Sequence, residues 1–282
     1  MADSSRLLSR RDALALLATA GAMGLVARVA ADAPGAAATP SARAADDQGG
    51  GSSLKTIGVL GGLGPQATMD FVARVHRVSQ RLIKPHLNSS YPPMMVWFLR
   101  YAPVLVNDQG RPRQPLEPDP RLFEAARRLG ATVDFIVIPS NTPHLFQPQI
   151  EKAAGCKVLS MIDTAIDDVR RRQWRKVGVL GLGDPVVYTR PLAAMNVACE
   201  TLDPELRGRV DENIFKVMEG RDDADSIATT KQALAQLRAR QVDGIVLGCT
   251  EIPLLLDGEE EQPDLVNPAQ LLAEATVKLA LA

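Results

Sequence analysis

The feature that most constrains this chain is an internal duplication of two strand-like motifs. Residues Val133–Leu145 read VDFIVIPSNTPHL and align without a gap with VDGIVLGCTEIPL at Val242–Leu254. Residues Ile57–Pro65 (IGVLGGLGP) and Val177–Pro185 (VGVLGLGDP) form a second matching pair. In each half, a strand that ends in glycines precedes a strand that ends in polar residues. The duplication therefore predicts two similar lobes related by a pseudo-two-fold axis.

Strand-like and helix-like segments alternate through both halves. Val242–Leu247 is an apolar run typical of a buried parallel strand. The segments Thr142–Ala154, Val187–Cys199 and Ala224–Arg240 are predicted helices. Such alternation favours parallel sheets with right-handed crossovers. We therefore predict an α/β fold of two pseudo-symmetric lobes, each a parallel sheet flanked by helices, with an active site in the cleft between them.

The two predicted lobes occupy the chain from about residue 54 onward. The first spans residues 54–156 and is joined by a C-terminal helix at 267–282, and the second spans residues 157–266. The chain has 282 residues, of which 46% are hydrophobic, and this is enough for one or two domains with a substantial core.

The first 53 residues have a different composition from the rest. The twin-arginine pair in Ser9-Arg10-Arg11-Asp12 precedes an apolar stretch that is shorter than the roughly 20 residues of a transmembrane helix. This pattern predicts a Tat-type signal peptide over residues 1–33, removed on export to the periplasm, which leaves the mature protein without a membrane anchor. An uncleaved anchor is the alternative. Residues 34–53 are Ala/Gly/Ser/Asp-rich and are predicted to be a disordered linker.

Composition argues against several classes of partner. The formal net charge is −1 and aromatic residues make up only 4% of the chain, so a nucleic-acid partner is not expected. The three cysteines are widely spaced and fit neither a disulfide framework nor a zinc site. We expect a small-molecule ligand and no metal.

The two polar strand ends are the candidate catalytic site, because chemistry in open α/β sheets collects beyond the carboxyl ends of strands. Cys249 follows Gly248 and precedes a predicted helix start, whose dipole would lower the pKa of the thiol. A buried core thiol is the alternative. Ser140 occupies the equivalent position in the first half, where it could instead cap the following helix. His144 lies one turn further on and is either a site residue or a capping histidine.

The glycine turn after the first strand has two interpretations. The segment from Gly62 to Ala67 fits G-x-G-x-x-A, the dinucleotide fingerprint. The acidic residue expected near the end of the second strand is absent, and Arg100 stands there instead. We therefore favour a turn that lets a small anion approach backbone N–H groups. Arg100 and Arg190 are candidates for binding a carboxylate, although either could be an ordinary exposed arginine.

Three motifs together resemble the aspartate/glutamate racemase superfamily. They are GGLGP after the first strand, PSNTPH after the third long strand, and GCTEIPLLL in the second half. The resemblance covers the chain from about Leu54 to its end. It implies a cofactor-independent enzyme in which two cysteines flank the substrate α-carbon, one removing a proton and the other returning one.

The resemblance assigns Cys249 as one acid/base and places Ser140 where the family has its other cysteine. It implies a racemase of aspartate or glutamate, with Glu251 tuning its neighbours and His144 assisting Ser140. The alternatives are a single-cysteine decarboxylase or cis–trans isomerase of a small dicarboxylate, and a non-catalytic carboxylate-binding protein. A homodimer is possible. The residues expected to contact the substrate are Gly62, Asn141, Thr142, His144, Thr250 and Glu251.

Overall fold

The computed structural model describes residues 54–108 and 112–282. The predicted signal peptide and linker lie outside the described residues, and both stay predictions. Within the described part, eight strands form two four-stranded sheets in which every pairing is parallel. None of the described helices has the length and apolar character that crossing a membrane requires.

The first sheet has the strand order β2-β1-β3-β4. Its strands are β1 (Ile57–Gly61), β2 (Met94–Phe98), β3 (Phe135–Val137) and β4 (Val158–Leu159). The helices of this half are α1 (Pro65–Leu82), α2 (Pro120–Gly130) and α3 (Gln147–Ala154), with a short 3-10 helix at Thr142–Phe146.

The second sheet has the equivalent order, β6-β5-β7-β8. Its strands are β5 (Lys176–Leu180), β6 (Ala198–Glu200), β7 (Gly244–Leu247) and β8 (Leu265–Val266). The helices that follow α3 are α4 (Met161–Arg171), α5 (Val186–Ala194), α6 (Pro204–Met218), α7 (Ala224–Ala239) and α8 (Pro268–Leu281), with a 3-10 helix at Ile252–Leu255.

The matching strand orders confirm the predicted α/β class and its duplication. In each sheet, a glycine-ended strand (β1 or β5) lies beside a polar-ended strand (β3 or β7) at the centre. Because parallel strands end at the same sheet edge, each pair brings one glycine turn beside one polar segment. The fold therefore builds the same local arrangement twice.

Apolar side chains cover both faces of each sheet. In β3, Phe135 and Val137 join one core cluster, while the alternate residue Ile136 joins another. In β7, Ile245 and Leu247 point into a cluster that Val246 does not share. This alternation is the two-residue period of a strand buried on both faces, and it explains why the central strands are continuous apolar runs.

The lobe boundaries differ slightly from the prediction. Strand β4 pairs with β3, so the first sheet extends past the predicted boundary at residue 156. Helix α8 packs on α1, where Leu272 and Val277 share a core cluster with Phe71. The C-terminal helix therefore completes the core around the first sheet.

The predicted helix Val187–Cys199 was wrong in its second half. Helix α5 ends at Ala194, Asn196 adopts a left-handed conformation (φ 61°), and the chain continues as strand β6. A left-handed residue breaks helical hydrogen bonding, so the chain can turn into the sheet. The predicted helix Thr142–Ala154 is likewise divided at Phe146 into the 3-10 helix and α3.

Strand β2 forms an exposed edge of the first sheet. Its large apolar side chains Met95, Trp97 and Phe98 are 37 to 45% exposed. The possible homodimer stays a prediction.

Candidate active site

The two polar strand ends are both buried. Ser140 is only 7% exposed beyond β3, and Cys249 is only 6% exposed beyond β7. Glu251 is 1% exposed, although it carries an ionisable group. The buried Glu251 carboxyl needs a chemical reason, because burial penalises its charged form.

Cys249 and Glu251 form a hydrogen-bonded pair. The thiol Sγ donates to Glu251 Oε2 over 3.1 Å, and the Thr250 hydroxyl donates to the same oxygen over 3.1 Å. Glu251 Oε1 is buried and has no hydrogen-bond partner among the described residues. Thr250 therefore supports Glu251, and its predicted contact with the substrate stays a prediction.

The surroundings of Cys249 and Glu251 disfavour the state in which both groups are negatively charged. Burial raises the pKa of Cys249 well above its ordinary value, and the charges of Glu251 and Asp211 raise it further. Burial also raises the pKa of Glu251, against the opposing effect of the hydrogen bonds from Cys249 and Thr250. The expectation that a helix dipole lowers the pKa of Cys249 was wrong, because burial and neighbouring carboxylates dominate.

Gly64 brings the glycine turn of the first lobe against Glu251 of the second. A Cβ atom at Gly64 would collide with Glu251 Oε1, so only glycine leaves room for this carboxylate. Sequence reasoning singled out Gly62 instead. The Gly62 N–H donates to Thr68 Oγ1 over 2.9 Å, and its φ is 77°. Gly62 therefore shapes the turn, and its N–H is not free for a substrate.

Ser140 also faces this turn. Its Oγ lies 3.5 Å from the carbonyl oxygen of Leu63, which is at the outer limit of a hydrogen bond. Leu63 immediately precedes Gly64, so one turn contacts Ser140 on one side and Glu251 on the other. The structure thus places Ser140 and Glu251, the hydrogen-bond partner of Cys249, at a single glycine turn.

His144 cannot activate Ser140 in this arrangement. Its Nε2 accepts the Met161 N–H over 3.1 Å, so its Nδ1 carries the proton and donates to the Ser140 carbonyl over 2.9 Å. Burial lowers the pKa of His144 to about 4. The prediction that His144 assists Ser140 was wrong, because both ring nitrogens bind backbone groups and the residue braces β3 against α4. The predicted substrate contact of His144 stays a prediction.

Asn141 makes a hydrogen bond across the lobes that the sequence did not predict. The Tyr188 hydroxyl, on α5 of the second lobe, donates to Asn141 Oδ1 over 2.6 Å. Tyr188 is fully buried. Thr142 is half-buried, and its hydroxyl has no hydrogen-bond partner among the described residues. Asn141 Nδ2 and the Thr142 hydroxyl make no hydrogen bond within the described residues, and the predicted substrate contacts of both residues stay predictions.

The second glycine turn has its own carboxylate. Asp211, on α6, accepts the Gly183 N–H over 2.9 Å, and burial raises its pKa. Only tertiary packing brings Asp211 near Cys249, so no local motif marked it. The two candidate arginines, Arg100 and Arg190, are exposed and form no ion pair within the described residues.

The arrangement suits proton transfer. Because the neighbouring carboxyl and thiol groups both have raised pKa values, the Cys249–Glu251 pair titrates as one coupled unit, which carries a single negative charge when it holds one proton. Moving that proton from Sγ to Glu251 yields a thiolate without creating a second charge. The parts of the chain that the structure describes contain no group of three His, Cys, Asp or Glu side chains placed to hold a metal ion.

Comparisons with known proteins identify relatives of this chain. The broad specificity amino-acid racemase RacX of Bacillus subtilis (strain 168) is 24% identical over 230 residues, which cover 80% of this chain and 98% of RacX. The aspartate racemase of Picrophilus torridus has a TM-score of 0.64 at 20% identity, with coverage of 80% of this chain and 94% of that one. An aspartate racemase homologue from Pyrococcus horikoshii OT3 has a TM-score of 0.63 at 21% identity, with coverage of 80% and 99%.

These two solved structures have the same fold as this chain. At the level of the whole sequence, the family model for Asp/Glu/hydantoin racemases matches residues 60–276, which include both strand ends and both glycine turns. The chain therefore belongs to the Asp/Glu/hydantoin racemase family of enzymes, as its strand-end motifs predicted.

Proposed function

We propose that this protein is a cofactor-independent racemase of an acidic amino acid, aspartate or glutamate. The observation that carries the proposal is the buried Cys249–Glu251 hydrogen bond, whose carboxylate lies against the same glycine turn that Ser140 contacts. In this proposal, Cys249 is the base on one face of the α-carbon and Ser140 serves the other face.

The proposed reaction begins with proton transfer within the buried pair. Glu251 accepts the Cys249 proton, and the resulting thiolate removes the substrate α-proton. The Ser140 hydroxyl then gives its proton to the opposite face of the α-carbon and becomes an alkoxide, while Cys249 and Glu251 both hold protons. Exchange with solvent water then removes the proton from Glu251 and returns one to the Ser140 oxygen. Donors at Asn141 and Thr142 bind the α-carboxylate and stabilise the enolate-like charge that develops on it.

The charge of the site favours an amino acid over a simple dicarboxylate. The Cys249–Glu251 pair carries one negative charge when it holds one proton, and Glu251 Oε1 has no donor to compensate it. The ammonium group of an amino acid supplies both a positive charge and hydrogen-bond donors. A dicarboxylate would bring further negative charge into a buried, anionic site.

The test is to incubate the purified protein separately with the L and D forms of aspartate and glutamate. We expect chiral chromatography to detect the opposite enantiomer, and NMR in D2O to detect α-deuterium. A panel of neutral amino acids belongs in the same assay, since RacX is described as having broad specificity. If neither enantiomer of any amino acid tested exchanges its α-proton, the proposal is wrong.

A second candidate function is favoured by the environment of Ser140. Both nitrogens of the nearby His144 bind backbone groups, so no described side chain activates the Ser140 hydroxyl as a base. A single thiol can protonate one face of an enolate in a decarboxylase or a cis–trans isomerase of a small dicarboxylate. The variant Ser140→Cys separates the candidates: racemase activity that appears only in this variant would support the second one.

A further inference from the structure

The hydrogen bond between Tyr188 and Asn141 links helix α5 of the second lobe to the residue that follows Ser140 at the strand end of the first lobe. The two oxygen atoms are 2.6 Å apart, which is short for such a bond. Tyr188 is fully buried and Asn141 is only 8% exposed. A bond of this kind can form only when the two lobes are together.

The bond fixes which way the Asn141 amide faces. An amide has one acceptor oxygen and one donor nitrogen, whereas a neutral phenol is a good donor. With Oδ1 engaged by Tyr188, the nitrogen Nδ2 is turned to the other side. No other described residue makes a hydrogen bond to Nδ2. Two N–H donors are therefore held in place without a protein acceptor.

The surroundings of Tyr188 keep its hydroxyl protonated, so that it can donate a hydrogen bond. Burial raises the pKa of Tyr188 well above its ordinary value, and the charge of Cys249 raises it further, so the phenol stays protonated. A Cβ atom placed on Gly248 would lie 3.3 Å from Tyr188 Cδ2, so the ring packs beside the residue that precedes Cys249. One side chain thus contacts the strand ends of both lobes.

We propose that Tyr188 is a positioning residue that holds Asn141 with its Nδ2 donors toward the substrate α-carboxylate. This inference rests on the proposed function, because it names the group that orients the same substrate. The α-carboxylate supplies the acceptor that Nδ2 lacks.

The experiment is a double-mutant cycle on binding and turnover. Calorimetry measures the affinity for L-aspartate, D-aspartate and L-glutamate in the wild type, Tyr188→Phe, Asn141→Ala and the double variant. We expect roughly 10- to 100-fold weaker binding in Asn141→Ala, where a bond to a charged group is lost. We expect roughly 3- to 10-fold weaker binding in Tyr188→Phe. In the Asn141→Ala background, adding Tyr188→Phe should change binding less than twofold, roughly within the error of additivity.

A second variant tests the direction of the amide without altering Tyr188. Asn141→Asp keeps the acceptor for the phenol but replaces the Nδ2 donors with a carboxylate oxygen. We expect it to bind more weakly than Asn141→Ala, because two carboxylates then face each other. In turnover, Tyr188→Phe should raise KM by more than it lowers kcat.

Several outcomes would overturn the inference. Equal effects of Tyr188→Phe in both backgrounds would show that it acts independently of Asn141, and wild-type affinity in Asn141→Asp would show that Nδ2 does not face the ligand. Binding without racemisation by the wild type would overturn the proposed function and leave the positioning role intact. Absence of binding by the wild type would overturn both.

Discussion

The two lobes have the same strand order, yet their equivalent strand ends have different chemistry. In the second lobe, Cys249 donates to a buried carboxylate that can take its proton. In the first lobe, Ser140 makes a single 3.5 Å contact with a carbonyl oxygen, which cannot take a proton. The duplicated fold therefore preserves positions, while proton-transfer capacity is concentrated on one side.

The difference extends to the neighbouring residues. The residue two positions after Cys249 is Glu251, which completes the pair, whereas Thr142 in the equivalent place has a free hydroxyl. The residue after Ser140 is Asn141, which Tyr188 holds from the opposite lobe. We infer that the second lobe supplies the base and the first lobe supplies substrate binding and the opposite face.

The largest expected effect is at Cys249. We expect Cys249→Ser to lower kcat/KM for α-proton exchange by roughly 10²- to 10⁴-fold, because an alcohol replaces the thiol that acts as base. Exchange rates measured by NMR in D2O check this. Cys199→Ser is the matched control, since Cys199 is half-buried in β6 and distant in sequence from both strand ends. Equal activity in both variants would contradict the assignment.

Glu251→Gln should have the next largest effect. We expect kcat/KM to fall by about 10²-fold, because glutamine keeps the shape of the side chain but cannot accept the thiol proton. The pH profile should also change. In the wild type, activity requires ionised Glu251. The rising limb of the wild-type pH profile should therefore have its midpoint above 4.5, the ordinary pKa of a glutamate carboxyl.

The direction of that pH shift is a separate test of the pair. In Glu251→Gln, activity requires direct ionisation of Cys249, whose pKa burial raises above 9.0. The rising limb should therefore move to strongly alkaline pH. A profile that stays where the wild-type profile lies would mean that Glu251 does not take the proton.

The pH dependence of folding stability tests the role of His144 in the first lobe. Its pKa is about 4 in the folded protein and 6.5 in the unfolded chain. As pH falls below 6.5, the unfolded state takes up the proton first. The folded state therefore loses up to about 3 kcal/mol between about pH 6.5 and pH 4.

In His144→Gln, we expect the unfolding free energy to depend less on pH between about pH 6.5 and pH 4. The variant should also be less stable at neutral pH, because the hydrogen bonds between the His144 ring and backbone groups are lost. Urea unfolding at about pH 7.5 and pH 5 checks this. The exposed His86 provides the control variant His86→Gln, which should keep the wild-type pH dependence.

The smallest expected effect is that of Ser140→Ala on α-proton exchange of the enantiomer whose α-proton faces Cys249. In Ser140→Ala, exchange of that enantiomer should stay within about threefold of wild type, because the 3.5 Å contact contributes little. Inversion to the other enantiomer should fall much further. In Ser140→Cys, the two strand ends become alike, and the exchange rates of the two enantiomers should approach each other.

The sequence predicted the elements whose signals are local. The repeated strand ends defined both sheets and placed Ser140 and Cys249 at their carboxyl ends. Tyr188, Gly64 and Asp211 were missed because each matters through a contact with a residue distant in the chain. No periodicity or motif reports such contacts.

Side-chain direction was the other source of error. His144 lies at the expected position, but its ring turns toward backbone groups of Ser140 and Met161. Likewise, Gly62 lies in the expected turn, but its N–H binds Thr68. Sequence position fixes where a residue lies along a strand end, whereas tertiary packing decides which atoms remain free.

The most direct measurement is the rate at which each pure enantiomer takes up α-deuterium while keeping its configuration. One enantiomer should exchange with retention far faster than it inverts, because the Cys249–Glu251 pair removes and returns its proton on one face. The other enantiomer should take up α-deuterium only when its configuration inverts. Equal exchange with retention from both enantiomers would contradict the account, since the first lobe would then hold a base as effective as the thiol.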